Sequence, residues 1–170
     1  MNSSKWNDAV QSIRADKIEF AITLFLDLAE SGTTAAYREL GNIYENLLYE
    51  PDYEKALYWY SRAVDEAGDV QGYLALGRLC FYGHGVEQDF KKAQWYFLQA
   101  AEIKNPLALL MLGRIYERGL GVQIDLEKAE DYYLQSAKTG NIYAMRNLGV
   151  IAWKRNQTFA RFIEDHFFYL

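Results

Sequence analysis

A chain of 170 residues, 51% hydrophobic and 16% aromatic, can bury a substantial core in one domain, which excludes a disordered tail. Its 18 basic and 23 acidic residues give a net charge of −5. That balance argues against binding nucleic acid or anionic lipid, because both draw on an excess of Lys and Arg.

Cys80 is a single cysteine, so an intrachain disulfide is excluded, and with only His84 and His166 beside it no N/S zinc cage is expected. No cofactor is implied. Lys5 is not followed by a signal-peptide-like apolar run, and no stretch approaches the roughly 20 apolar residues of a membrane span. A cytoplasmic protein is expected, unless a leader has been removed.

In chain order, residues 1–32 read as a degenerate N-terminal helix pair, its second helix at residues 16–31 with Phe20, Leu24, Leu28 and Ala29 at helical spacing. A 36-residue period then begins. Leu-Gly recurs at Leu40-Gly41, Leu76-Gly77, Leu112-Gly113 and Leu148-Gly149. Gly32, Gly68, Lys104 and Gly140 step equally, each followed by a helix-capping type: Thr33, Asp69, Asn105 and Asn141. Pro106 takes the first helical position, where it is best tolerated.

The second helix of each unit opens on Asp52, Asp89 or Asp125, with Ala56, Ala93 or Ala129 four residues later. Aromatics follow at Trp59-Tyr60, Tyr96-Phe97 and Tyr132-Tyr133, then small residues that let helices approach. Gly83-His84-Gly85 and Gly119-Leu120-Gly121 predict tight turns with positive φ. Residues 46–51 lack the glycine pair and are one residue shorter, so that loop should differ.

This pattern of Leu-Gly-x-x-Tyr, Gly-x-Gly-Val, Asp-x-x-Lys-Ala and paired aromatics resembles the Sel-one-like repeat, a relative of the tetratricopeptide repeat. Three units, residues 33–68, 69–104 and 105–140, carry it. The resemblance implies an all-α solenoid, an αα-superhelix of about five antiparallel helix pairs in one domain. Residues 141–170 would supply a half repeat and then a capping helix from about Gln157, with Phe159, Phe162, Ile163 and Phe167 closing the core. Phe167, Phe168, Tyr169 and Leu170 cannot all face one core, which makes the segment a candidate homodimer contact.

Catalytic candidates are few. The glycine turns follow helices rather than strands, so a phosphate-cradling loop is disfavoured. His84 sits at a loop tip with no nucleophile spaced to pair with it, and Cys80 takes the core slot held elsewhere by Tyr44 and Tyr116. His166 falls in a terminal aromatic helix. No enzyme is expected. The paired aromatics could form an exposed strip, but packing between repeats accounts for them better.

The resemblance implies partner binding along a concave face lined by the first helices. Positions −3, +1 and +4 from each Leu-Gly glycine are Arg38, Asn42, Glu45; Leu74, Arg78, Phe81; Leu110, Arg114, Glu117; and Arg146, Val150, Trp153. Arginine interleaved with apolar anchors suits a protein or peptide partner, although the arginines could instead pair with neighbouring acids. Reversing charge at Arg78 and Arg114 is expected to abolish capture without unfolding. A bacterial regulatory adaptor fits best. An immunity or inhibitor protein that blocks a toxin or enzyme is the alternative, and a small hydrolase ranks last.

Overall fold

The computed structural model describes residues 2–167, with side chains described for residues 3–156. Among these residues the secondary structure is entirely helical. The helices are α1 (Asn2–Arg14), α2 (Ile18–Glu30), α3 (Ala35–Asn42), α4 (Tyr53–Ala67), α5 (Val70–Tyr82), α6 (Phe90–Ala101), α7 (Pro106–Arg118), α8 (Leu126–Ala137) and α9 (Ile142–Phe167). They follow one another in antiparallel pairs. Residues 1–99 and residues 100–170 form two compact units.

Capping follows from the repeated polar residues. The Asp69 side chain accepts from the Gly72 amide at 2.7 Å, Asn105 from Leu107 and Ala108, and Asn141 from Tyr143 and Ala144. Asp52, Asp89 and Asp125 each accept from the amide three residues on, at 2.9–3.0 Å. At α3 the cap position falls on Thr34 rather than Thr33, and the Thr34 side chain makes no cap bond. Gly83, Gly85, Gly119 and Gly121 have φ of +65° to +73°, the left-handed turn their spacing requires. Lys104 adopts φ +57° where its counterparts are glycine.

The Leu-Gly glycines are seats for aromatic rings. A Cβ on Gly41 would lie 2.6 Å from the Tyr60 ring, on Gly77 2.6 Å from Phe97, and on Gly113 2.5 Å from Tyr133. The second helix of each pair thus lies against its first helix with no room for a methyl group. Around these seats Tyr37 stacks on Trp59 and Tyr116 on Tyr132. These contacts place the paired aromatics in the packing between helices, although Trp95 keeps half its surface exposed.

Two local features depart from a regular repeat. The short first loop is reached through a π-helical turn, Ile43–Leu47, that continues α3. The same closing bond still forms in all three loops: the amides of Asp52, Asp89 and Asp125 donate to the carbonyls of Tyr44, Cys80 and Tyr116. The π-turn brings the chain round with one residue fewer and no left-handed glycine. At the other end, α9 runs unbroken through the point where a separate capping helix was expected. Lys154, Arg155 and Gln157 are good helix formers, and no glycine or proline interrupts them. The side chains of Phe159, Phe162, Ile163, His166 and Phe167, and the whole of residues 168–170, lie outside the described residues, as does the homodimer contact they suggested.

Candidate functional site

In the unit of residues 1–99, the first helices α3 and α5 line an open cavity of about 270 Å³. Of the residues singled out from the sequence, it brings together Arg38, Asn42, Leu74 and Arg78, and adds Asn46, Gln71 and Tyr60. Glu45 lies beneath it and Phe81 is turned into the core, 9% exposed. Asn46 and Gln71 were legible in principle. They extend the same helical stripes by one turn, four residues after Asn42 and three before Leu74.

The electrostatics of this cavity are set by ion pairs within the unit. Arg38 binds Asp69 at 3.2 Å and Glu39 at 3.1 Å. Arg78 pairs with Glu45, whose side chain is only 8% exposed and which also accepts from the Tyr60 hydroxyl at 2.8 Å. Burial, reinforced by the Glu45 carboxylate, pushes the Tyr60 phenol far above its ordinary range. Tyr60 therefore stays a neutral donor. With both guanidiniums engaged, the cavity offers a hydrogen-bonding lining in which Asn42 and Asn46 share a 3.0 Å bond. The expectation that Arg78 tolerates charge reversal needs correction: a carboxylate there would face buried Glu45 with no cation between them.

The position of Glu45 varies with its partner on the second helix. Glu45 meets Tyr60, Phe81 meets Phe97 with ring centroids 6.3 Å apart, and Glu117 accepts from Tyr133 at 2.8 Å. Each carboxylate also receives a cation, Arg78 for Glu45 and Lys154 for Glu117.

In the unit of residues 100–170, Leu110 is buried and Arg114 half-buried, its guanidinium 3.9 Å from the Met111 sulfur. Arg146, Val150 and Trp153 are exposed, Trp153 by 63%. Among the described residues no carboxylate pairs with Arg114 or Arg146. Acidity is unevenly spread: residues 1–99 hold nine basic and fifteen acidic side chains, residues 100–170 nine and eight.

The remaining candidates are His84 and Cys80. His84 is exposed at its loop tip, its ring stacked between Tyr53 at 4.6 Å and Tyr82 at 5.7 Å. Cys80 is 1% exposed, and burial raises its thiol pKa. Among the described residues no group of three His, Cys, Asp or Glu side chains could hold a metal ion, and no helix is long and apolar enough to cross a membrane.

The Sel1 repeat family model matches residues 34–67, 70–105 and 106–141, within two residues of the units read from the period. Among solved structures, the chain is similar to c5321, a protective antigen of uropathogenic Escherichia coli with an SLR fold. The two share 28% identity with a TM-score of 0.81, over 89% of this chain and 33% of that one. A Sel1 repeat protein from Oxalobacter formigenes shares 29% identity with a TM-score of 0.75, over 89% and 63% of the two chains. A third, from Klebsiella pneumoniae subsp. pneumoniae, is 19% identical over 89% and 77%, with a TM-score of 0.56, and shares the fold alone. This chain therefore spans a third of the first structure and under two thirds of the second. No curated protein matches the sequence.

Proposed function

This chain belongs to the Sel1 repeat family, and from that premise we propose that it is a non-enzymatic adaptor that holds a peptide or protein partner on its first-helix faces. The observation that carries this reading is the cavity on α3 and α5. A lining of amides and engaged guanidiniums can bond the backbone and polar side chains of an extended segment. Within the second unit, Arg146 and Trp153 of the first helix α9 are exposed as well. A cytoplasmic regulatory role suits the buried free thiol of Cys80.

The test uses the full chain as bait beside an Asn42→Ala/Gln71→Ala variant. The variant removes lining amides while sparing the Glu45–Arg78 pair. A partner captured by wild type and lost by a variant of unchanged circular dichroism supports the assignment; equal capture refutes it.

The acid excess of residues 1–99 favours a second reading, a neutralising protein fitted to one basic target. Its complex would weaken steeply with salt and be indifferent to the Asn42 and Gln71 substitutions.

A further inference from the structure

Three first helices of this chain present one face to their own second helix. Counted from the Leu-Gly glycine, positions −4, 0 and +3 form that face: Tyr37, Gly41, Tyr44; Tyr73, Gly77, Cys80; and Leu109, Gly113, Tyr116. Each of the three glycines has a ring seated on it. The helices that supply those rings share a spacing of small residue, aromatic ring four later, small residue three after that. The sets are Ala56, Tyr60, Ala63; Ala93, Phe97, Ala100; and Ala129, Tyr133, Ser136. All nine are buried, at 3% exposure or less.

Helix α9 is a fourth first helix. Its core side packs Ala144, Leu148 and Ile151 against α7 and α8. Its other face, Met145, Gly149 and Ala152, repeats the −4, 0 and +3 positions and is exposed. Among the described residues nothing lies within 4 Å of a Cβ built on Gly149. Ile142, three residues before Met145, and Trp153, four residues after Gly149, are 68% and 63% exposed. The seat is formed and, among the described residues, holds no ring, and exposed apolar side chains border it.

We propose that this face of α9 binds an amphipathic helix of a partner protein that carries an aromatic ring between small residues, in the spacing small-x-x-x-aromatic-x-x-small. The occupant's chemistry is given by the three internal helices that fill the equivalent seats. Such a helix would set its ring on Gly149, with its small residues admitting the α9 backbone and its neighbouring apolar side chains covering Met145 and Trp153.

The experiment measures fluorescence anisotropy of a labelled peptide of residues 121–140 titrated with the full chain. Residues 121–140 contain the ring-bearing helix and its cap. Saturable binding is expected, weakened at least tenfold by Tyr133→Ala in the peptide and at least tenfold by Gly149→Leu in the protein. Gly149→Leu fills the seat at an exposed helical site and should leave the circular dichroism unchanged. Absent binding, or equal binding by Gly149→Leu, overturns the proposal. A concentration-dependent dimer that Gly149→Leu abolishes would make a second copy the occupant and overturn it too. So would a tenfold gain in peptide affinity on replacing Phe159 and Phe162 with serine, since the chain's own end would then fill the seat.

Discussion

Substituting alanine for glycine at two equivalent repeat positions, Gly113 and Gly149, should move stability in opposite directions. At Gly113 the new methyl would lie 2.5 Å from two carbons of the Tyr133 ring and 3.0 Å from a third. Unstrained carbon contacts need about 3.5–4.0 Å, so ring and helix must part by roughly 1 Å. Tyr133 is fully buried, and Glu117 holds its hydroxyl at 2.8 Å. The ring therefore has little freedom to yield, and overpacking of this kind costs about 1–3 kcal/mol. Taking the upper end and subtracting about 1 kcal/mol for alanine's better helix propensity leaves a net loss of about 2 kcal/mol. At Gly149 no ring among the described residues is met, so the propensity gain stands alone at about 1 kcal/mol. Urea unfolding of wild type and both variants, followed by far-UV circular dichroism, measures the difference. A Gly113→Ala protein as stable as wild type, or both variants shifting the same way, would refute the ring-seat account.

Lys104→Gly should stabilise the chain by about 1 kcal/mol, read as a raised urea midpoint, because a left-handed conformation penalises any residue with a Cβ. Glu45→Ala should cost about 3 kcal/mol in the same assay, since it strands the buried Tyr60 hydroxyl and the Arg78 guanidinium together. Asp52 is held below its usual carboxylate range by the Lys55 amide, and Glu66 by the Tyr37 hydroxyl. Because their folded pKa values are depressed, their stabilisation is present above the unfolded values near 4 and is lost as pH falls through the folded ones. An acid titration should show Asp52→Asn and Glu66→Gln losing less stability than wild type between pH 5 and pH 2.

The scaffold was largely legible because repetition turns weak local signals into strong ones. One Asp before a helix is ambiguous, but Asp52, Asp89 and Asp125 in register are three caps. Gly41, Gly77 and Gly113 could be read as close-packing sites, although which ring each one seats emerges only when the two helices are brought together. The π-turn at Ile43–Leu47 was visible only as a missing residue, since the length of a loop does not say how the preceding helix ends. Charge pairing was the least legible. Arg78 and Glu45 stand 33 residues apart, and helical spacing places Arg78 on a face without revealing that a buried carboxylate from the neighbouring helix already meets it. Of the cavity's amides, Asn42 stood among the positions the resemblance pointed to, while Asn46 and Gln71 lie one turn outside them.

The alternation of Glu45–Tyr60, Phe81–Phe97 and Glu117–Tyr133 bears on how the chain avoids misfolding. Near-identical neighbouring modules can exchange partners during folding, and the backbone alone would hardly resist it. Here α3 with α6 would bury a carboxylate against a phenyl ring, and α5 with α4 would leave a phenol with no acceptor. Either error costs a desolvated polar group. The side-chain chemistry thus acts as a checksum on helix pairing, rejecting a slip of one module. It would accept a slip of two, α3 with α8, where only the distance along the chain stands in the way.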